Sequence, residues 1–265
     1  MTPGYAFDND SAHAAEQHRC LAIGLDGATT RALTRLEPRR GMRCLEVGAG
    51  GGSIARWLAE RVAPGGSVLA TDVKPHHIPR VPGLTVEVHD ITRDPLPEAA
   101  FDLVHARLVL LHLPERRAVL ERLARSLKPG GWLQLDEFDE TTYGPLVPVG
   151  ELDDGGAAER AYAAYLAAKL RLLESAGVEL SWGRSVATEM SRCGLRYVHA
   201  VPEVQAWHHD SPGTALQIHN TRHLRDRFRA AGLGDAGLAA ARRVMAHRDF
   251  LATSCVLYCT QGRRP

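Results

Sequence analysis

Two rhythms of apolar and polar positions alternate along the chain. Short, mostly apolar runs at residues 43–47, 68–70, 84–88, 101–106 and 132–136 read as strands, the first two of them buried. Between them, apolar residues recur at helical spacing. Ile54, Trp57, Leu58 and Val62 share one face, as do Val119, Leu120, Leu123 and Leu127. Pro64-Gly65-Gly66 stops the first of these helices and Lys128-Pro129-Gly130-Gly131 the second. Strands alternating with helices in this way predict an α/β fold with a doubly wound, Rossmann-like parallel sheet.

The flanks follow a different pattern. Helices are predicted over 16–23 and 28–36, with Leu25-Asp26-Gly27 punctuating between them. The polar-aromatic start, with Tyr5, Phe7, Asp8 and Asn9, reads either as a lid or as a tail packed on the sheet. Residues 141–156 are loop-rich. Helices follow at 157–175 and 184–193, then a strand at 195–201 that 204–208 can continue past Pro202. Helices at 214–230 and 235–248 precede a last strand at 254–259. The whole is expected to be one domain. Residues 1–40 form a helical lid, 41–140 a ligand-binding core, 141–250 a helical, substrate-covering region with the sheet edge, and 251–265 the last strand.

Composition narrows the picture. The 265 residues are 45% hydrophobic, enough for a substantial core, and carry a formal net charge of +1. That balance gives no basic footprint for nucleic acid. Cys20, Cys44, Cys193, Cys255 and Cys259 are odd in number and contain no Cys-x-x-Cys pair, so reduced thiols are expected. No apolar run approaches a membrane span. A cytoplasmic protein without membrane or nucleic-acid partners is expected, with a homodimer as one option.

The chemistry concentrates between Arg43 and Asp72. Gly48, Gly50, Gly51 and Gly52 follow the first strand, Ser53 opens a helix, and Asp72 ends the second strand. Glycines let the backbone turn sharply and let a ligand approach it. The helix start offers unpaired N–H groups. An acid roughly 20 residues on can accept from both hydroxyls of a ribose.

Glu46-Val47-Gly48-Ala49-Gly50-Gly51-Gly52 resembles the first motif of class I S-adenosylmethionine (AdoMet)-dependent methyltransferases. Leu127-Lys128-Pro129-Gly130-Gly131 and its neighbours resemble a later region of that superfamily, and the likeness covers residues 41–140. The stretches 4–10 and 101–133 also resemble bacterial, actinomycete-type small-molecule methyltransferases. An acid beside the turn would repel a pyrophosphate but suits the ammonium and sulfonium of AdoMet.

The resemblance implies a seven-stranded sheet whose last two strands form an antiparallel edge hairpin, and it implies roles residue by residue. Glu46, Gly48, Ala49 and Gly50 would contact the amino acid end of the cofactor. Asp72 would bind the ribose, and Val73 would lie against the adenine. Asp90 would accept from the adenine amino group, with Ile91 on the ring face. Ala106 and Arg107 would line the methionine side. Asp90 has a second reading as a turn residue.

The acceptor side is less defined. Glu137, at the fifth strand's end, is a candidate base or cation binder in a cleft-facing place. His112 is a second catalytic candidate, although its Leu-Leu-His-Leu context also suits a core histidine. Tyr5, Glu137, Phe138, Tyr143 and Asn220 are candidate substrate contacts. His219 and His223 are spaced i, i+4 and His208-His209-Asp210 lies near them in sequence, but no His-Glu-x-x-His occurs. No metal is expected.

The expected function is methyl transfer from AdoMet, by in-line displacement, to a small organic acceptor of secondary metabolism, with an aromatic or indole-like acceptor as the class that fits the resemblance. An NAD(P)-dependent oxidoreductase is the alternative enzyme. Glu46 and the lack of a Tyr-x-x-x-Lys dyad weigh against it. A catalytically silent AdoMet-binding regulator is the non-enzyme alternative.

Overall fold

The computed structural model describes residues 9–142 and 155–265. Its contacts divide the chain into two units. One comprises Leu25–Phe138, Ser181–Glu203 and Leu257–Pro265, and the other Met1–Gly24, Asp139–Leu180 and Val204–Val256.

The first unit is built on a seven-stranded sheet. Its strands are β1 (Arg43–Val47), β2 (Ser67–Asp72), β3 (Leu84–Val88), β4 (Phe101–Arg107), β5 (Leu127–Asp139), β6 (Arg196–Glu203) and, numbered in chain order, β9 (Val256–Arg263). Their order across the sheet is β3-β2-β1-β4-β5-β9-β6. β1 pairs in parallel with β2 and with β4, β2 with β3, and β4 with β5. β6 and β9 pair antiparallel at the edge, as the resemblance implied. The chain winds outward from β1 to β3, then returns to β4 on β1's other side. The topological switch point, where such sheets place ligands, is therefore between β1 and β4.

Sequence explains the packing of this unit. α2 (Ser53–Val62) buries Ile54, Ala55, Leu58, Ala59 and Val62, which pack with Cys44, Val68, Ala70 and Leu103 of the sheet. Full burial of each large aliphatic side chain contributes about 1.5–3 kcal/mol. Trp57 lies at the stripe's margin, with the Arg61 guanidinium 4.5 Å above its ring. α3 (Arg116–Ser126) buries Val119, Leu120 and Leu123. α5 (Trp182–Arg192) buries Trp182, Val186 and Met190.

The second unit contains α4 (Ala157–Ser175), α6 (Pro212–His223), α7 (Arg225–Ala230) and α8 (Asp235–Met245). A two-stranded antiparallel sheet of β7 (Ala206–His208) and β8 (Leu251–Thr253) accompanies them. Its core includes Tyr162, Tyr165, Phe228 and Phe250, all fully buried. Ser211 caps α6, accepting from the Thr214 amide, and Pro212 stands in its first turn.

Several boundaries differ from the sequence pattern. The two N-terminal helices are one, α1 (Ala14–Thr34), running through Gly27. A helical glycine costs only about 1 kcal/mol, which the buried Leu25, Ala28, Ala32 and Leu33 outweigh. The single helix read over 214–230 is two, divided at Leu224. Residues 206–208 do not continue β6. They turn away after Glu203 and pair with β8, a partner the local pattern could not reveal. β5 begins at Leu127 and includes Lys128-Pro129-Gly130-Gly131, with Gly130 at a φ of 79° and a register shift against β4 between Phe101 and Leu103.

Candidate functional site

The glycine turn leaves β1 at the switch point. Gly48, Gly50 and Gly52 all have positive φ, at 63°, 53° and 74°. A Cβ on Gly48 would lie 2.4 Å from Val109 Cγ2, and one on Gly52 2.6 Å from Pro79 Cδ. These positions demand glycine on two grounds, backbone conformation and space. The Ala49 amide donates to the Thr71 carbonyl at 3.0 Å, tying the turn to β2.

Asp72 closes the cradle. It is 7% exposed. One carboxylate oxygen accepts from the Gly50 amide and the other from the Lys74 amide, both at 2.9 Å. Val73, the next residue, is a large apolar side chain left 56% exposed.

Glu46 stands beneath the turn. Its register partner across β1 and β4 is His105. His105 Nδ1 lies 2.7 Å from Glu46 Oε2, and Nε2 lies 3.3 Å from Asp136 Oδ2. Gln134, the register partner of His105 on β5, donates to Asp136 at 3.0 Å and accepts at 2.8 Å from Gln261 on β9. A polar row thus crosses four strands inside an apolar core. Burial would push the His105 pKa down, but Glu46 and Asp136 override it and raise it to about 9. Burial likewise opposes ionisation of Asp136, and His105 outweighs it, holding that carboxyl below its ordinary range. Thr29 and Ala32 of α1 cover the row, accepting through their carbonyls from Gln134 and Gln261.

Arg107 ends β4 and turns onto α1, donating to Asp26 at 2.9 Å and to Thr29 at 3.2 Å. Ser53, at the start of α2, donates to the same Asp26 oxygen at 3.0 Å. Asp26, read from sequence as a helix break, therefore ties the middle of α1 to the start of α2 and the end of β4. Ala106, expected to line the methionine side, is fully buried.

Asp90 behaves first as a turn residue. Its Oδ1 accepts from the Thr92 amide at 2.9 Å and hydroxyl at 2.6 Å, and these bonds hold its pKa down. Its Oδ2 lies 3.6 Å from Arg93 Nε. Ile91 is buried.

Glu137 differs from the expected cleft-facing acid. It is fully buried, and its carboxylate accepts from the amides of Val109, Leu110 and Leu111 at 3.3, 2.8 and 3.3 Å. It caps the single 3₁₀ turn Leu110–His112. Burial pushes its pKa up to about 8 against those three donors. The physical reason for the difference is alternation: β5 directs Glu137 inward, toward a turn whose amides have no helical partner. The backbone of Glu137 and Phe138 also touches α5, where a Cβ on Gly183 would meet the Glu137 carbonyl at 2.5 Å. Phe138 and His112 are half-buried. Asn220, in the second unit, is 6% exposed, and its Oδ1 has no partner among the described residues. Tyr5 and Tyr143 lie outside the described residues.

Five histidines of the second unit form two groups. His13, His219 and His223 bring their ring centroids to 4.7–6.2 Å of one another. His208, His209 and Asp210 are exposed, with potential ligand atoms within 4.8 Å of one another. Among the described residues, no helix is long and apolar enough to cross a membrane.

Sequence reasoning missed His105, Asp136, Gln134 and Gln261. A signal was present: polar residues at alternate positions within strands otherwise apolar enough to be buried on both faces. The arrangement suits a cationic, ribose-bearing ligand. It offers a cradle too tight for a side chain, an acid at the end of β2 beside that cradle, and a Glu46 Oε1 with no hydrogen-bond partner among the described residues.

Comparison with known proteins accords with this geometry. Methyltransferase str2 of Strobilurus tenacellus is 37% identical over 109 residues, 40% of this chain and 39% of the relative. Nocamycin O-methyltransferase of Saccharothrix syringae is 31% identical over 144 residues, 49% of this chain and 51% of the relative. The chain thus matches about half or less of these relatives' length. Phosphoethanolamine N-methyltransferase 2 of Haemonchus contortus, solved with S-adenosylhomocysteine, shares the fold with a TM-score of 0.53 at 17% identity, covering 90% of this chain and 52% of that one. The family model described as a methyltransferase domain matches residues 21–235, and the chain belongs to that family.

Proposed function

We propose that the chain is an AdoMet-dependent methyltransferase acting on a small organic acceptor in secondary metabolism. The observation that carries this reading is the pairing of the glycine cradle with Glu46 at the β1/β4 switch point. A carboxylate there opposes a pyrophosphate and favours a cationic amino acid end. Family membership and the small-molecule methyltransferases among its relatives support the same reading.

In this reading Glu46 holds the cofactor's ammonium, Asp72 its ribose hydroxyls and Val73 its adenine face. AdoMet supplies a methyl group activated by its sulfonium, and transfer proceeds in line with inversion at the methyl carbon. The protein's part is alignment and exclusion of water. Glu137 serves by ordering the 110–112 turn rather than by meeting the acceptor. An O-methyl acceptor, as in the name of the nocamycin enzyme, and aromatic or indole-like acceptors are the first classes to try.

The test is incubation with methyl-labelled AdoMet and a panel of phenols, indoles and carboxylic acids. Label transferred to a small acceptor is the expected result. Tight AdoMet binding with no transfer to any acceptor would instead favour a catalytically silent AdoMet-binding protein.

A further inference from the structure

Outside the cradle, the feature with the least ordinary chemistry is the polar row beneath it. Glu46, His105 and Gln134 are register neighbours on three adjacent strands, and Asp136 stands two residues beyond Gln134 on the same face. All four are 3% exposed or less. Both ring nitrogens of His105 face carboxylate oxygens, which when ionised only accept. Two such bonds require a proton on each nitrogen, hence an imidazolium.

We infer that His105 is a positioning residue for the cofactor: pinned between Asp136 and Glu46, it holds Glu46 Oε2 so that Oε1 is presented to the ammonium of AdoMet. This inference rests on the AdoMet reading proposed above. The chemistry argues for it in three steps. A lone glutamate at a strand end has several rotamers, and a bond of 2.7 Å to a fully buried ring selects one. The ring cannot drift, because Asp136 holds its other side and Gln134 in turn holds Asp136. Two carboxylates and one imidazolium leave one net negative charge at the row, which matches the single net positive charge of AdoMet. Without the imidazolium, two buried carboxylates would face each other and one would take up a proton.

The groups that face His105 are Glu46 from β1 and Asp136 from β5. Around Asp136 stand Arg107 from β4 and Cys259 from β9. An effect at His105 must therefore be read against these neighbours.

The experiment compares two ligands that differ at the amino acid end. S-adenosylhomocysteine carries it, and 5′-methylthioadenosine lacks it. In His105→Gln, S-adenosylhomocysteine is expected to bind at least tenfold more weakly than to the wild type, while 5′-methylthioadenosine changes less than twofold. Equal losses for both ligands, or no loss for either, would overturn the inference.

A second measurement needs no substitution. The ring resonances of His105 in the wild type are expected to titrate well above 6.5. S-adenosylhomocysteine should lower that midpoint by placing an ammonium beside Glu46, and 5′-methylthioadenosine should leave it in place. A midpoint indifferent to both bound ligands would contradict the role. If the wild type binds neither ligand, the AdoMet reading itself falls and the inference falls with it. If both bind and only the discrimination fails, the AdoMet reading stands and the inference alone is lost.

Discussion

The carboxylate of Asp72 reaches back across 22 residues to accept from the amide of Gly50 at 2.9 Å, so the end of β2 holds the glycine turn in shape. One residue therefore builds the cradle and, in the proposed reading, binds the ribose as well. Asp72→Ala is expected to weaken AdoMet binding at least tenfold, because hydrogen bonds to a charged group are worth about 1.5–3 kcal/mol. Titration calorimetry checks this. An unchanged dissociation constant would remove Asp72 from the ribose role.

Gly48→Ala tests the cradle itself. The new methyl would meet Val109 Cγ2 at 2.4 Å on a backbone with φ of 63°. A destabilisation of about 1–3 kcal/mol is expected from the left-handed conformation alone, with the clash added to it. Val109→Ala in the same chain should recover the clash and leave the backbone part. Denaturant unfolding of the single and double variants measures both, and a Gly48→Ala protein as stable as the wild type would be inconsistent with the described turn.

Two buried groups set the pH dependence of stability in the first unit. The pKa of Glu137 is raised from 4.5 to about 8, so its contribution is full below pH 4.5 and is lost as pH rises through 8. The pKa of His105 is raised from 6.5 to about 9, so its contribution is full below pH 6.5 and is lost as pH rises through 9. Both slopes have the same sign. Wild-type stability should fall between about pH 5 and 9, and Glu137→Gln should flatten the part below pH 8. Unfolding free energies across that range decide the matter. Identical slopes in variant and wild type would show that Glu137 titrates normally.

Much of the first unit was legible in the sequence because its signals are local. β1 and β3 fall at the expected residues, since short apolar runs bounded by glycine and proline have few other readings. α4 does likewise, its helical run ending at Gly177. The misreadings lie where a distant partner decides. Residues 206–208 are a strand only because β8 pairs with them, and Gly27 stays helical only because its neighbours are buried. The site divides in the same way. The glycines, Glu46 and Asp72 follow from one contiguous stretch. The partnership of Glu46 with His105 depends on which strand lies beside β1, which no local pattern states. Glu137 was visible as an acid at a strand end, but its inward direction was not.

In the second unit, Lys169 and Glu140 form a buried ion pair at 2.9 Å. Lys169→Met leaves a buried carboxylate without this cation and is expected to cost about 3–5 kcal/mol. Replacing both partners, Lys169→Met with Glu140→Leu, should recover most of that loss. A double-mutant cycle by urea unfolding tests it, and additive losses would show that the pair is not coupled.

The cofactor reading is tested most directly by calorimetric titration of the purified protein with AdoMet, S-adenosylhomocysteine and NAD in parallel. Saturable binding of the first two and none of NAD is expected from Glu46 beneath the glycine turn. Binding of NAD without binding of AdoMet would contradict it.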